Sequence, residues 1–134
     1  AKGYAVDQGL LVANDYDVKI IINAGGDIAS NNWQHEEVDI RSPKIDKIDL
    51  KRVKMKNRAV ATSASYYFND NKNPIISPKS KEMIDDKRSV SVFAPNCMIA
   101  DALTKVAFLD RNASELMEMF KAKALFINEN GEFC

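Results

Sequence analysis

The sequence contains few of the residues that build disulfide frameworks, metal clusters and histidine-dependent active sites. Its two cysteines, Cys97 and Cys134, are too few for a disulfide framework or a zinc site, although one disulfide between them could form. The single histidine, His35, excludes a histidine-rich metal site and argues against a Ser-His-Asp triad. Neither sign of charge is in excess, since Lys+Arg and Asp+Glu both number 19. This balance argues against nucleic acid or an anionic membrane as a partner.

Long hydrophobic runs, internal repeats and low-complexity segments are also absent, and neither a signal peptide nor a transmembrane run is visible. Hydrophobic residues make up 46% of the 134 residues and charged residues 28%, which is ordinary for a globular domain with a core. We therefore predict a single domain over residues 1–134. Because the chain begins with Ala1 rather than Met, we expect either a removed leader or a longer parent protein.

The hydrophobic pattern predicts an α+β domain in which helices and strands both contribute to the core. The strand over residues 18–23 is rich in β-branched residues and is predicted to be buried, and Asn96 is the predicted N-cap of a helix. The segment 44–57 alternates apolar and charged residues, which indicates a solvated edge strand or hairpin arm. The predicted helices cover 3–14, 98–110 and 112–123, and the remaining predicted strands cover 33–40, 58–68, 89–95 and part of 124–132.

Two short segments carry candidate ligands. In the first, Gly25 and Gly26 follow a predicted strand and precede Asp27, so the backbone can turn sharply there and approach a ligand. The alternative for this segment is a plain turn with a polar cap. In the second, Asp101 and Lys105 are four residues apart on a predicted helix and share one of its faces. Asp101 is therefore either a metal ligand or the acidic partner in a surface salt bridge.

Several motifs occur in an order that resembles the FAD:protein FMN transferases, the ApbE family. They are KGYAVD, INAGGDI, AVATS, IISPKS, SVSVFAP and ADALT, in register over nearly all of the chain. The resemblance implies a T-fold-like α+β structure, with helices packed on an antiparallel sheet. It also implies Mg²⁺-dependent transfer of FMN from FAD to a threonine or serine of a target flavoprotein, with release of AMP.

The resemblance covers only the C-terminal half of the usual family chain. It implies FAD and a target flavoprotein as partners, and either an N-terminal half or a homodimer could complete the site. Nucleic acid is not an expected partner. Family members are mostly exported, as periplasmic proteins or membrane-anchored lipoproteins, so the resemblance favours a location outside the cytoplasmic membrane.

The resemblance also assigns roles to individual residues. Asp101 corresponds to the aspartate that binds the metal, and Ala1 supplies a carbonyl ligand. Thr104 is a further metal candidate, although it lies one position before the family's second ligand. Ser80 and Thr62 are the candidates for a catalytic hydroxyl. The residues that it implies for FAD binding are Lys2, Asp7, Gly25, Gly26, Asp27, Thr62 and Ser63.

Several positions depart from the family pattern, including Ala64, which replaces the glycine of a T-S-G motif. The threonine expected four residues after Asp101 is Lys105, whose ammonium repels Mg²⁺ and could pair with Asp101 in the metal's place. In the transfer loop, Pro74 replaces a histidine, Ser77 an aspartate and Lys81 a glycine. The alternative function is therefore a catalytically degenerate flavin-nucleotide-binding or accessory domain of the same family.

Overall fold

The structure of the chain is a computed structural model that describes residues 1–43, 49–64, 75–84, 86–110 and 112–134. Its helices are α1 (Lys2–Ala13), α2 (Cys97–Leu109) and α3 (Ser114–Met119), and one 3₁₀ turn spans Trp33–His35. Its strands are β1 (Ile21–Ala24), β2 (Asp27–Ser30), β3 (Glu37–Arg41), β4 (Leu50–Lys54), β5 (Ala59–Ala64), β6 (Ser89–Ala94) and β7 (Lys123–Ile127). None of the helices in these ranges is long and apolar enough to cross a membrane.

The strands form one five-stranded sheet, in the order β1-β2-β5-β6-β7, and a separate pair made of β3 and β4. Every neighbouring pair of strands is antiparallel. In the register of the large sheet, Ile28 lies opposite Val60 and Thr62 lies opposite Ser91. The predicted fold, an antiparallel sheet with packed helices, is therefore confirmed.

The large sheet is covered on both faces, which fixes the direction of each side chain on its strands. Alternate residues of a strand point to opposite faces. Ala29, Ala59 and Ala61 point toward the helices, where they join apolar clusters with residues of α1 and α2. Val60 and Phe93 point to the other face and pack against the β3–β4 hairpin. Asp27 has the same parity as Ala29 and is therefore on the helix-covered face.

Several predicted elements agree with the structure. The strand predicted over 89–95 is β6, whose six residues are all buried. The Asn96 side chain accepts a hydrogen bond from the Ile99 N–H, as expected of the N-cap of α2. The segment 44–57 contributes β4, which is one arm of the β3–β4 hairpin. Residues 44–48, residues 65–68 of the predicted strand and Pro74 of the transfer loop lie outside the described ranges.

Three predictions about local structure were wrong. The strand predicted at 18–23 begins at Ile21 and is not buried, because β1 is an edge strand and Ile21 points to solvent. The segment 33–40 begins as a 3₁₀ turn and becomes a strand only at Glu37. The third helix, predicted over 112–123, covers only Ser114–Met119. The prediction of one domain over 1–134 stays a prediction.

Candidate active site

A tight turn between β1 and β2 forms one wall of the candidate site. Gly25 and Gly26 are its two central residues, with φ angles of 65° and 95°. Positive φ at both positions is the geometry of a two-residue hairpin turn, and glycine adopts it without a steric penalty. The Asn23 side chain accepts a hydrogen bond from the Gly26 N–H at 2.9 Å and holds the turn closed. This turn delivers the next residue, Asp27, to the helix-covered face.

Asp27 is a buried carboxylate with an incomplete set of partners. The residue is only 3% exposed, and its Oδ2 accepts no hydrogen bond from the part of the chain that the structure describes. The Nζ of Lys2, on the first turn of α1, is 3.6 Å from that oxygen, which is an ion pair but too long for a hydrogen bond. Burial and the nearby Asp101 raise the pKa of Asp27, and Lys2 and Lys105 oppose the rise. Asp27 therefore favours a protonated form or a cationic partner.

Asp101 and Lys105 form an ion pair on the face of α2 that borders the same space. The Lys105 ammonium donates hydrogen bonds to Asp101 Oδ1 and to the Asp101 carbonyl oxygen. An aspartate that precedes a lysine by four residues is a favourable arrangement on a helix. The Lys105 side chain is half exposed, so its ammonium remains accessible from solvent. Of the two alternatives for Asp101, the salt bridge is formed in the structure, and the role of metal ligand stays a prediction.

Hydroxyl groups connect α2 to the end of β5. Thr104 is fully buried, and its Oγ1 donates to the Asp101 carbonyl oxygen at 2.7 Å. Because a hydroxyl has one proton, the 2.7 Å contact between Thr104 Oγ1 and Ser63 Oγ must be donated by Ser63. Thr62, the preceding residue, shares a 2.7 Å hydrogen bond with Ser91 on β6. The bonds through Thr104 fix the Ser63 hydroxyl beside α2, whereas the Thr62 hydroxyl, on the same face as Val60, is held on the hairpin side of the sheet.

These walls enclose a cavity of about 520 Å³, within the usual range for small-molecule sites. Its apolar lining residues are Ala64, Ile75, Ile76 and Leu109. The remaining lining residues include two carboxylates and two ammonium groups; they are Lys2, Gly25, Gly26, Asp27, Thr62, Ser63, Asp101 and Lys105.

Four of the predicted site residues lie outside this cavity lining. The Ala1 carbonyl accepts the first hydrogen bond of α1, from the Ala5 N–H at 3.2 Å. Thr104 lies behind Ser63, as described above. Ser80 is exposed in a turn, where its N–H donates to Ser77 Oγ at 3.2 Å.

Asp7 is the fourth predicted site residue outside the cavity lining, and it connects α1 to α2. Its carboxylate oxygens accept hydrogen bonds from the Cys97 and Met98 N–H groups, at 2.7 and 2.8 Å. It therefore caps the N-terminus of α2, where a negative charge is favourable. The helices approach closely at this point, because a Cβ on Gly3 would lie 2.6 Å from the Cys97 carbonyl oxygen. Asp7 positions α2, and through it Asp101 and Lys105.

Neither cysteine nor histidine contributes to the cavity lining. Cys97 is buried, and burial together with Asp27, Asp7 and Asp101 raises the pKa of its thiol to about 12. The thiol therefore stays protonated and is a poor nucleophile. Cys97 and Cys134 are both free, so the disulfide that the sequence allowed is not formed. His35 is exposed in the 3₁₀ turn, as an ordinary surface residue would be.

Sequence reasoning missed the apolar lining residues of the cavity. Ile75 and Ile76 belong to the IISPKS motif, from which only Ser80 was named as a candidate. Their place in the same motif as Ser80 was the signal that could have identified them. Leu109 and Ala64 carry no such signal, because they reach the cavity only through the packing of α2 and the end of β5.

The described residues do not fit a Mg²⁺ centre as they are arranged. Mg²⁺ takes six oxygen ligands in near-octahedral geometry. Asp101 is already bonded to an ammonium, the Thr104 hydroxyl is committed to a carbonyl and to Ser63, and the Ala1 carbonyl belongs to a helix. Within the described ranges, no group of three or more His, Cys, Asp or Glu side chains could hold a metal ion. The Mg²⁺ expected from the sequence is therefore not supported by this geometry.

Comparison with known proteins decides the family. A family model described as the ApbE family matches residues 1–126. The chain belongs to the ApbE family. A search of curated protein sequences finds no match.

Solved structures agree with this assignment. The structure of a histidine-to-glycine mutant of the flavin transferase ApbE from Vibrio cholerae is 21% identical, with a TM-score of 0.72 over 99% of this chain and 47% of that one. The ApbE protein from Thermotoga maritima is 25% identical, with a TM-score of 0.71 over 99% and 48%. The apo flavinyl transferase ApbE from Pseudomonas stutzeri is 19% identical, with a TM-score of 0.72 over 98% and 44%. The chain therefore spans about half the length of these structures.

Proposed function

We propose that this chain forms the FAD-binding part of an FAD:protein FMN transferase. The observation that carries the proposal is the cavity, which gathers residues from α1, the β1–β2 turn, β5 and α2. Sequence motifs far apart along the chain had named seven of its lining residues. They are Lys2, Gly25, Gly26, Asp27, Thr62, Ser63 and Asp101.

The reaction proposed is transfer of FMN to a serine or threonine of a target flavoprotein. The oxygen of the target hydroxyl forms a bond to the phosphorus on the FMN side of FAD. The bond between that phosphorus and the bridging oxygen breaks, AMP leaves with that oxygen, and the hydroxyl proton passes to solvent. No oxidation or reduction is involved. Such a transfer depends on positioning and on positive charge that stabilises the phosphate oxygens.

The polar and the apolar lining residues suit the two parts of the ligand. The Lys2 and Lys105 ammonium groups offer hydrogen-bond donors to phosphate oxygens. Ile75 and Ile76 offer apolar surface to a ring system. Because the chain spans about half of its relatives, we propose that a second half, from an N-terminal segment or a second copy, covers the rest of FAD.

A second candidate is a protein that binds a flavin nucleotide without transferring it. The Lys105 ammonium on Asp101 favours this candidate, since it opposes the Mg²⁺ that the family resemblance implies for transfer. Ser80, the candidate transfer-loop hydroxyl, is exposed and outside the cavity lining, which also favours it. Catalytic roles for Ser80 and Thr62, and a location outside the cytoplasmic membrane, stay predictions.

Intact-mass spectrometry of a target flavoprotein distinguishes the two candidates. The chain would be incubated with FAD and the target, alone and together with the N-terminal half of the Thermotoga maritima protein, in Mg²⁺ and in EDTA. Transfer predicts a target heavier by one FMN group, lost when the acceptor serine or threonine is changed to alanine. FAD binding without any adduct in the four conditions would establish the binding candidate instead.

A further inference from the structure

We infer that Lys105 is the built-in cation of this cavity, and that its ammonium binds the diphosphate of FAD where a divalent metal would otherwise be needed. The inference rests on the proposed function for the identity of the ligand. Its claim about the cation position is separate, because that position can be probed by a metal ion alone.

The first observation is the position of Lys105 on Asp101. Its ammonium lies on Asp101, the residue that the family resemblance names as a metal ligand, and it contacts both a carboxylate oxygen and a carbonyl oxygen. These are the oxygen types that a hard cation takes in proteins. A four-carbon side chain holds the charge in place, so this cation cannot be removed by a chelator.

The second observation is the buried carboxylate of Asp27 in the same cavity. Asp27 lines the same cavity, is 3% exposed and has an Oδ2 that accepts no hydrogen bond within the described ranges. A buried carboxylate in this condition is costly unless positive charge lies near it. Lys2 supplies one such charge from 3.6 Å, and Lys105, which lines the same cavity, supplies another. The negative charges of the two carboxylates therefore equal the positive charges of the two ammonium groups, and no metal ion is needed to neutralise them.

The third observation is that the two lysine side chains are exposed to solvent. The Lys2 side chain is 60% exposed and that of Lys105 is 50% exposed, whereas the side chain of Asp27 is 4% exposed. A diphosphate entering from solvent would therefore meet ammonium groups before it met the buried carboxylate. Lys105 can keep its bond to Asp101 and still donate to a phosphate oxygen, because an ammonium has three donors.

Manganese binding tests the cation position without any flavin. Mn²⁺ would be titrated into the wild-type chain, Lys105→Thr and Lys105→Thr/Asp101→Asn, and free Mn²⁺ would be followed by electron paramagnetic resonance. The introduced hydroxyl replaces the ammonium four residues after Asp101. We expect no saturable binding by the wild type. Lys105→Thr should bind Mn²⁺ saturably, at least about tenfold more tightly than any residual binding by the wild type, and the double variant should lose this binding. Equal behaviour of the wild type and Lys105→Thr, whether both bind or neither does, would overturn the inference.

FAD titration tests the role of the ammonium toward the ligand, with quenching of flavin fluorescence as the signal. We expect the wild-type affinity in EDTA and in Mg²⁺ to agree within about twofold, and Lys105→Met to bind about tenfold more weakly in both. Arg52→Met is the matched control, because it removes one positive charge from an ion pair on the β3–β4 hairpin. A wild-type affinity that rises tenfold or more with Mg²⁺ would contradict the inference. If FAD fails to bind every folded variant, the proposed function fails, and the Mn²⁺ titration still decides the cation position.

Discussion

The two faces of the five-stranded sheet differ in whether a carboxylate from its own strands is buried there. The face toward the β3–β4 hairpin packs an apolar cluster that includes Val38, Ile40 and Phe93. The face toward the helices also packs apolar clusters, but it buries Asp27 and Thr104 beside the cavity. A buried carboxylate with an unbonded oxygen reduces stability, whereas apolar packing increases it. The helix face therefore gives up some stability at the candidate site, a cost that the apolar cluster of the hairpin face does not carry.

The largest expected effect on stability lies on the hairpin face. Phe93 is 2% exposed and belongs to an apolar cluster, so Phe93→Ala should lower the free energy of unfolding by about 3–5 kcal/mol through a cavity. Urea denaturation followed by circular dichroism measures the change. The variant should keep wild-type affinity for FAD at temperatures where it is folded. A loss of FAD binding by the folded variant would contradict the division between the two faces.

The next largest effect is expected where α1 crosses α2. A Cβ on Gly3 would lie 2.6 Å from the Cys97 carbonyl oxygen, so Gly3→Ala must push the helices apart and should cost about 1–3 kcal/mol. Thermal denaturation measures the loss. Gly9→Ala is the control in the same helix, since its Cβ would meet only the movable end of the Ile22 side chain. Equal losses in the two variants would show that the helix crossing is not the cause.

Asp27→Asn should increase stability, which is the reverse of Phe93→Ala. The pKa of Asp27 is raised, mainly by burial, so the folded chain binds the proton more tightly than the unfolded chain. The stability that this group contributes is fully present below pH 3.8, its ordinary pKa. It is lost as the pH rises through the raised pKa of the folded chain. The gain from Asp27→Asn should therefore be largest at neutral pH and vanish below pH 3.8. Denaturation midpoints across this range measure it, and a gain that grows toward acid pH would refute the argument.

The smallest effect is expected at the exposed ion pair of the hairpin. The Arg52 guanidinium bonds to Asp39 at 2.9 Å and holds the pKa of that carboxyl below 3.8. Arg52→Met should return this pKa to its ordinary value, as an NMR titration of the Asp39 side chain would show, with no resolvable change in stability. A clear destabilisation would mean that the hairpin pair contributes more than an exposed ion pair should.

Local patterns predicted those parts of the fold that local chemistry decides. The alternating SVSVFAP segment predicted β6, and the preference of asparagine for helix N-caps predicted the role of Asn96. The same rules failed for Ile21, because the apolar run does not show that its strand lies at the edge of the sheet. They also failed for the third helix, whose short length depends on where the chain turns to begin β7.

The candidate site shows the same limit. Motifs named Asp27, Ser63 and Asp101, and the sheet order then brought them to one cavity. The capping role of Asp7 depends on the close crossing of α1 and α2, and the burial of Thr104 depends on its bond to Ser63. Both are long-range contacts that no spacing along the chain reveals. The pairing of Lys105 with Asp101 was open to prediction, since four residues on a helix fix it.

The central claim is that FAD occupies the cavity on the helix face, and an NMR titration of the isotopically labelled chain tests it most directly. Backbone amide signals would be followed as FAD is added in EDTA. The account predicts saturable shifts at Gly25, Gly26 and Ser63, with little change at Val38 and Val53 on the hairpin. No saturable shift in the folded chain, or shifts confined to the hairpin, would contradict it.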